Sequence, residues 1–255
     1  MRTITIALAI LLLIVPPARA VEQSIVLGRY EARAIVTGTD LRDRPKGLAA
    51  CLRDVLIKVS GDPTIADDPR LAALQARAAD FVVDFDYWDR MSGIAHHDEQ
   101  GSSDRPYNLT ARFDPTRIDA ALHDLGRAPW PDPRPALLLI IDVHGGHGNF
   151  FITRHEPEAE GMRAAIAAAA QKYGMTIALP ESETEAENYQ STPTLVAVAG
   201  GLVLSQAALG WVADWHLTWQ GRDYTWQIGG VNFDEAFRNG VRGAMQVLSG
   251  HGAPN

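Results

Sequence analysis

A chain of 255 residues with 46% hydrophobic content is long enough to bury a sizeable core, and it must, because its single cysteine, Cys51, cannot close an internal disulfide. Its 31 acidic and 23 basic residues leave a formal charge of −8, which repels phosphate backbones. No local Lys/Arg cluster opposes that balance, so the composition argues against nucleic acid as a partner.

The first element in chain order is an export signal. MRTITIALAILLLIVPPARA sets Arg2 ahead of an apolar run from Ile4 to Val15, a Pro-Pro break and Ala18-Arg19-Ala20. This A-x-A site predicts a mature chain that begins at Val21. The run falls short of the ~20 apolar residues that span a bilayer, and no cysteine follows at a lipid-attachment position. A periplasmic product without stable membrane insertion after cleavage is expected, and loss of Arg2 and Arg19 takes its charge from −8 to −10.

From Ser24 the segment SIVLGRYEARAIVTG reads as β-rich. PKGLAACLRDVLIKVSG then predicts a helix, because Leu48, Cys51, Leu52, Val55, Leu56 and Val59 recur at three- and four-residue steps, with Gly61 suited to a left-handed end. Cys51 in that stripe reads as an inert small hydrophobe. Asp68-Pro69 predicts the cap and first position of a second helix running through RLAALQARAAD. FVVDFDYW and YNLTARF form the arms of a hairpin around a polar loop that carries His96 and His97, read as solvated. Asp114-Pro115 repeats the cap-plus-proline signal before TRIDAALHDL, which stops at Gly126.

APWPDPRP cannot continue a helix or a sheet ladder, so it divides the chain. The expected organisation is a signal peptide at 1–20, an N-terminal α/β subdomain at 21–128, a Pro-rich junction at 129–135, a C-terminal α/β subdomain at 136–250 and a tail at 251–255. ALLLIIDV is a strand buried on both faces. PEAEGMRAAIAAAAQKYG is a helix ending at Gly174, MTIALP a strand, and ESETEAENYQST an exposed loop or short surface helix. TLVAVAGGLVLSQAALGWVA is apolar enough to raise a membrane span, but Gly200-Gly201 and Ser205-Gln206 interrupt it, and buried strands fit better. WVADWHLTW alternates Trp211, Ala213, Trp215, Leu217 and Trp219 with polar neighbours, and Tyr224, Trp226 and Ile228 repeat the alternation beyond a turn at 220–223. This aromatic hairpin either stacks on a ligand or packs beneath the following helix, FDEAFRNGVRGAMQVLSG, capped by Asn232; the apolar face of that helix favours packing. The fold class expected is α+β: two small α/β subdomains, each a mostly antiparallel sheet packed by helices.

The stretch that most resembles chemistry is DVHGGHGNFF. Asp142, His144 and His147, with His155 nearby, supply ligand-type side chains for a metal. A phosphate cradle fails, because no helix opens directly after the glycines and the P-loop lysine is absent. The economical reading is a strand-turn-strand, in which Gly145, Gly146 and Gly148 provide positive φ angles and the imidazoles stay in water. On that reading no residue is assigned a catalytic, cofactor-binding or metal-ligating role, and no cofactor is expected.

GRYEAR, DVLIKVSG, NLTARFDPTRIDAAL, PWPDPRPALLLI, the W-x-x-x-W-x-L from Trp211 to Leu217 and the W-x-x-G from Trp226 to Gly229 together resemble the domain of unknown function family 2066 (DUF2066). The resemblance covers essentially the whole mature chain and implies an exported protein of Gram-negative bacteria, with scaffold motifs rather than a catalytic set. The opening strand and helix also resemble small α/β domains of periplasmic proteins of the flagellar and Tol systems. Two functions are carried forward. The first is a non-enzymatic periplasmic module that binds or scaffolds an envelope protein, motivated by the export signal and by the lack of a nucleophile elbow, HExxH, P-loop or CxxC. The second is a periplasmic hydrolase, metal-dependent or not, using the Asp142/His144/His147 loop.

Overall fold

The computed structural model describes residues 27–93, 105–146 and 148–254. The signal segment, the loop with His96 and His97, and His147 lie outside them. The chain folds as an α+β protein with two sheets.

The first sheet is antiparallel. It consists of β1 (Glu31–Thr37), β2 (Val82–Asp89) and β3 (Pro106–Phe113), in the order β1-β3-β2. Across it lies α1 (Arg44–Ser60), whose stripe from Leu48 to Val59 is buried. Gly61 ends the helix at φ 74°, the left-handed conformation that lets its N–H reach the Ile57 carbonyl. Here the chain departs from expectation. Instead of one helix from Asp68, it forms a 3₁₀ turn at Pro63–Asp67, a short α2 (Leu71–Gln75) and a second 3₁₀ turn at Ala78–Phe81. The Asp68 carboxylate accepts from the backbone N–H of Arg70, an Asx-type turn, and only Leu71 and Leu74 are buried within α2. With so narrow an apolar stripe, nothing sustains a longer helix. Asp114 does cap α3 (Pro115–Asp124), accepting from the N–H groups of Thr116 and Arg117.

The second sheet is mixed and six-stranded. It contains β4 (Ala136–Gly145), β5 (Gly148–Phe151), the short β6 (Ile177–Ala178), β7 (Leu195–Ser205), β8 (Gly210–Trp219) and β9 (Arg222–Val231). Its order is β5-β4-β7-β8-β9, with β6 also on β4. β4 and β7 run parallel, while β7, β8 and β9 form an antiparallel meander. The helices of this half are α4 (Glu160–Tyr173), α5 (Glu183–Asn188) and α6 (Phe233–Leu248).

The aromatic hairpin packs beneath α6. Trp215 and Trp226 are 2% and 5% exposed, and a Cβ on Gly240 or Gly243 of α6 would fall 2.6 Å and 2.5 Å from their rings. Burying a tryptophan removes roughly 150–250 Å² from water, on the order of 4–6 kcal/mol at ~25 cal/mol/Å². That stabilisation accounts for the two indoles without a ligand.

α4 packs on both α6 and α1, so the two sheet-and-helix halves meet helix to helix and share one apolar core. The C-terminal end of α1 fastens them. Its open carbonyls at Lys58 and Val59 accept from the Arg134 guanidinium (2.9 Å each), and Val59 also accepts from the Trp130 N–H (2.8 Å). Arg134 lies over the Trp130 ring, 4.5 Å from its centroid. The Pro-rich junction thus supplies a cationic cap for a helix of the preceding half. No helix among the described residues is long and apolar enough to cross a membrane.

Candidate functional site

The register of the β4–β5 hairpin pairs His144 with Asn149 and Gly145 with Gly148, with Gly146 in the turn between the strands. The strand-turn-strand reading holds, but among the three glycines only Gly148 has a positive φ, 114°. Gly145 is small for another reason: a Cβ there would lie 3.1 Å from the Trp211 ring.

Asp142 and His144, two apart on β4, project to the same face of the sheet. His144 Nε2 lies 2.8 Å from an Asp142 carboxylate oxygen, and both side chains are roughly two-fifths exposed. His155 does not join them. It is held at 3.1 Å by Glu181, which also pairs with Arg154 at 2.6 Å. Among the described residues, no three His, Cys, Asp or Glu side chains converge as metal ligands would. Asp142 and His144 therefore form an exposed pair without a third ligand from the described chain.

One further constellation has no signature in the sequence. Ser249 Oγ lies 2.9 Å from His251 Nδ1, and His251 Nε2 lies 3.9 Å from Asp62. The order resembles a hydrolase triad, but the Gly61 and Gln246 carbonyls, 2.8 and 3.1 Å from the serine Oγ, compete with His251 for its proton, and Asp62 is taken up by Arg127 and Thr64. Burial alone would raise the Asp62 pKa, but the hydrogen bonds from Thr64 and Arg127 outweigh it and hold the carboxyl below its usual range. The group ties the end of α6 to the end of α1.

A concave surface lies along the seam between the halves. A cleft of about 780 Å³ runs between the start of β1, the end of α1, the Pro-rich junction and α4. A second, of about 650 Å³, continues from it between β1, α1, α4 and α6, sharing Leu27, Lys58 and Gln171. The first is lined by Arg29, Lys58, Arg134 and Arg163 against a single carboxylate, Asp132. The second adds Arg33, Arg53, Arg90, Lys172 and Arg238 against Asp54 and Glu235. The joined clefts are strongly basic in a chain whose overall charge is −8.

Lys58 stands where they meet. It is 1% exposed, and its ammonium donates to the carbonyl oxygens of Glu31 (2.7 Å) and Gly28 (3.4 Å). Burial pushes its pKa down to about 8, with Asp54 and Glu31 partly offsetting the drop. Cys51, one helical turn before Val55, is buried with its thiol pushed up to about 12, as an inert core residue should be. Sequence reasoning missed the clefts because their basic residues are scattered along the chain. The one local signal was a lysine inside the apolar run DVLIKVSG.

The fold and the seam define a two-sheet α+β protein with a basic cleft. Residues 25–131, which include the first sheet, match a family described as Domain of unknown function (DUF8605). That match replaces the resemblance to DUF2066, for which nothing is found. Helix caps, a proline junction and aromatic alternation are scaffold signals that many α+β chains share, and they do not distinguish one family from another. No curated protein and no solved structure matches the chain.

Proposed function

We propose that the protein is an exported, periplasmic binding module that holds an anionic component of the cell envelope in the seam between its halves. The observation that carries this reading is the concentration of basic side chains along two joined clefts of an otherwise acidic chain. The amino-terminal signal pattern supports export. The partner suggested by the sequence was an envelope protein; the basic lining favours an anionic occupant, whether a protein segment or a small molecule. The division of the chain at the Pro-rich stretch belongs to the same reading, since the clefts lie between the units it separates.

The test is capture of envelope components on the immobilised chain, compared with an Arg29→Glu/Arg163→Glu double variant. Capture should weaken as salt rises from low to physiological strength, over which the Debye length falls from about 30 to about 8 Å, and should be lost in the variant. Capture indifferent to both salt and charge reversal would remove the basis for an anionic partner.

A further inference from the structure

The lining of the first cleft is of two kinds. Lys58, Arg134 and Arg163 spend their donors on main-chain carbonyls. Lys58 uses those of Glu31 and Gly28, Arg134 those of Lys58, Val59 and Trp130, and Arg163 those of Thr153 and Glu156. None of the three has a carboxylate within ion-pair distance among the described residues. The Nε–H of Arg134 is buried with no hydrogen-bond partner among the described residues. Arg29, also in the lining, is already paired with Asp132.

The rest of the lining is mostly apolar: Ile166, Ala167 and Ala170 on the same face of α4 as Arg163, with Met175, Ile177 and Leu179. These side chains offer no counter-charge. A carbonyl satisfies a donor but carries no full negative charge, so the three cations stand in a partly dehydrated cleft with no carboxylate in ion-pair contact among the described residues, while Asp54 and Glu31 act on Lys58 and Asp132 on Arg134 from farther off. Burial holds Lys58 at about 8 and Arg134 at about 10, both in the direction expected of positive charge short of compensation. The volume, about 780 Å³, is that of a pocket enclosing a small molecule.

We infer that this cleft binds an amphipathic anion, with one carboxylate or phosphate head against Lys58, Arg134 and Arg163 and an apolar chain laid along α4. The inference rests on the anionic-ligand reading above and narrows it to a chemical class. The head replaces the missing counter-charge through charge-assisted hydrogen bonds, and the chain covers an otherwise wetted apolar floor.

Isothermal titration of the full-length chain, freed of lipid, tests this with dodecanoate, dodecyl phosphate, dodecanol, acetate and an oligo-glutamate peptide. One of the two anionic amphiphiles should bind with one-to-one stoichiometry, at least roughly tenfold tighter than dodecanol, which lacks the charge, and acetate, which lacks the chain. Preference between the two heads separates a free fatty acid from a phosphorylated lipid as the source. Arg163→Gln removes one cation. Ala167→Trp fills the floor from an exposed position on α4, so both variants should keep the native circular dichroism. Each should weaken binding by roughly tenfold or more.

Equal affinity for dodecanol, or undiminished binding in both variants, overturns the inference. Binding of oligo-glutamate alone, lost in Arg163→Gln, overturns it while leaving the anionic-ligand reading in place. No binding by any anion takes both down.

Discussion

Replacing Lys58 by methionine keeps most of its stem and removes the buried ammonium. In the folded chain the Lys58 pKa is depressed from 10.5 to about 8, first by burial and against the pull of Asp54 and Glu31. Between those two values the unfolded chain binds a proton that the folded chain does not, so wild-type stability gains from this site as pH rises from about 8 to 10.5. At ~1.4 kcal/mol per pH unit of difference, the whole effect is about 3 kcal/mol, of which roughly 2–3 kcal/mol falls between pH 7 and pH 10. Lys58→Met has no such dependence, and it also leaves the Glu31 carbonyl without its donor, at a cost of about 1–3 kcal/mol. Relative to wild type, the variant should therefore fare best near neutral pH and lose roughly 2–3 kcal/mol by pH 10. Urea denaturation of both proteins at pH 7, 8, 9 and 10, followed by far-ultraviolet circular dichroism, gives the difference directly. Groups titrating identically in both, such as Tyr173 with its pKa pushed up to about 12 by burial, cancel. A stability difference flat across this range would mean that the Lys58 ammonium is as well solvated as in the unfolded chain, and the account of the seam as short of negative charge would be wrong.

Three other outcomes follow from the packing and the sequence. Gly240→Ala should destabilise by about 1–2 kcal/mol despite alanine's better helix propensity, because its Cβ would lie 2.6 Å from the Trp215 ring; Gly161→Ala, on α4 with nothing within 4 Å, should be neutral or stabilise by up to ~1 kcal/mol, and urea midpoints rank the pair. Arg134→Lys should cost about 1–2 kcal/mol by the same assay, since an ammonium cannot span the Lys58 and Val59 carbonyls while lying flat on Trp130. Amino-terminal sequencing of protein recovered from the periplasmic fraction of a Gram-negative host should begin at Val21, and retention of Met1 in the cytoplasm would refute the export reading.

Most of the scaffold was legible because its signals are local. Asp114-Pro115, Gly61 and Gly174 mark helix ends through geometry that a few neighbouring residues settle among themselves. The alternation around Trp215 and Trp226 is equally local, and the apolar face of α6 told which way it would turn. Asp68-Pro69 misled, because a capping signal is only as strong as the apolar stripe behind it, and only Leu71 and Leu74 of α2 reach the core. The clefts were illegible for the opposite reason. Arg29, Lys58, Arg134 and Arg163 come from β1, α1, the junction and α4, and only the meeting of α1 with α4 brings them together. Histidines crowded into one loop drew attention instead. Sequence proximity left His155 bound to Glu181 and away from His144.

Capping and tying explain why donors stand at the end of α1, but not why those donors are charged. A carbonyl at a helix terminus is satisfied by water, by an amide side chain or by a backbone N–H such as that of Trp130, which already serves Val59. Exchanging an ammonium or guanidinium for such a neutral donor would remove the desolvation cost that depresses Lys58 and Arg134, with no loss of hydrogen bonding. Among the described residues no carboxylate comes within ion-pair distance of Lys58, Arg134 or Arg163; Asp54, Glu31 and Asp132 act on the first two only from farther off, and burial still lowers both. Structural need accounts for the position of these side chains. Their charge is what the proposed anionic ligand would account for, and loss of binding in Arg163→Gln is the outcome that ties the two together.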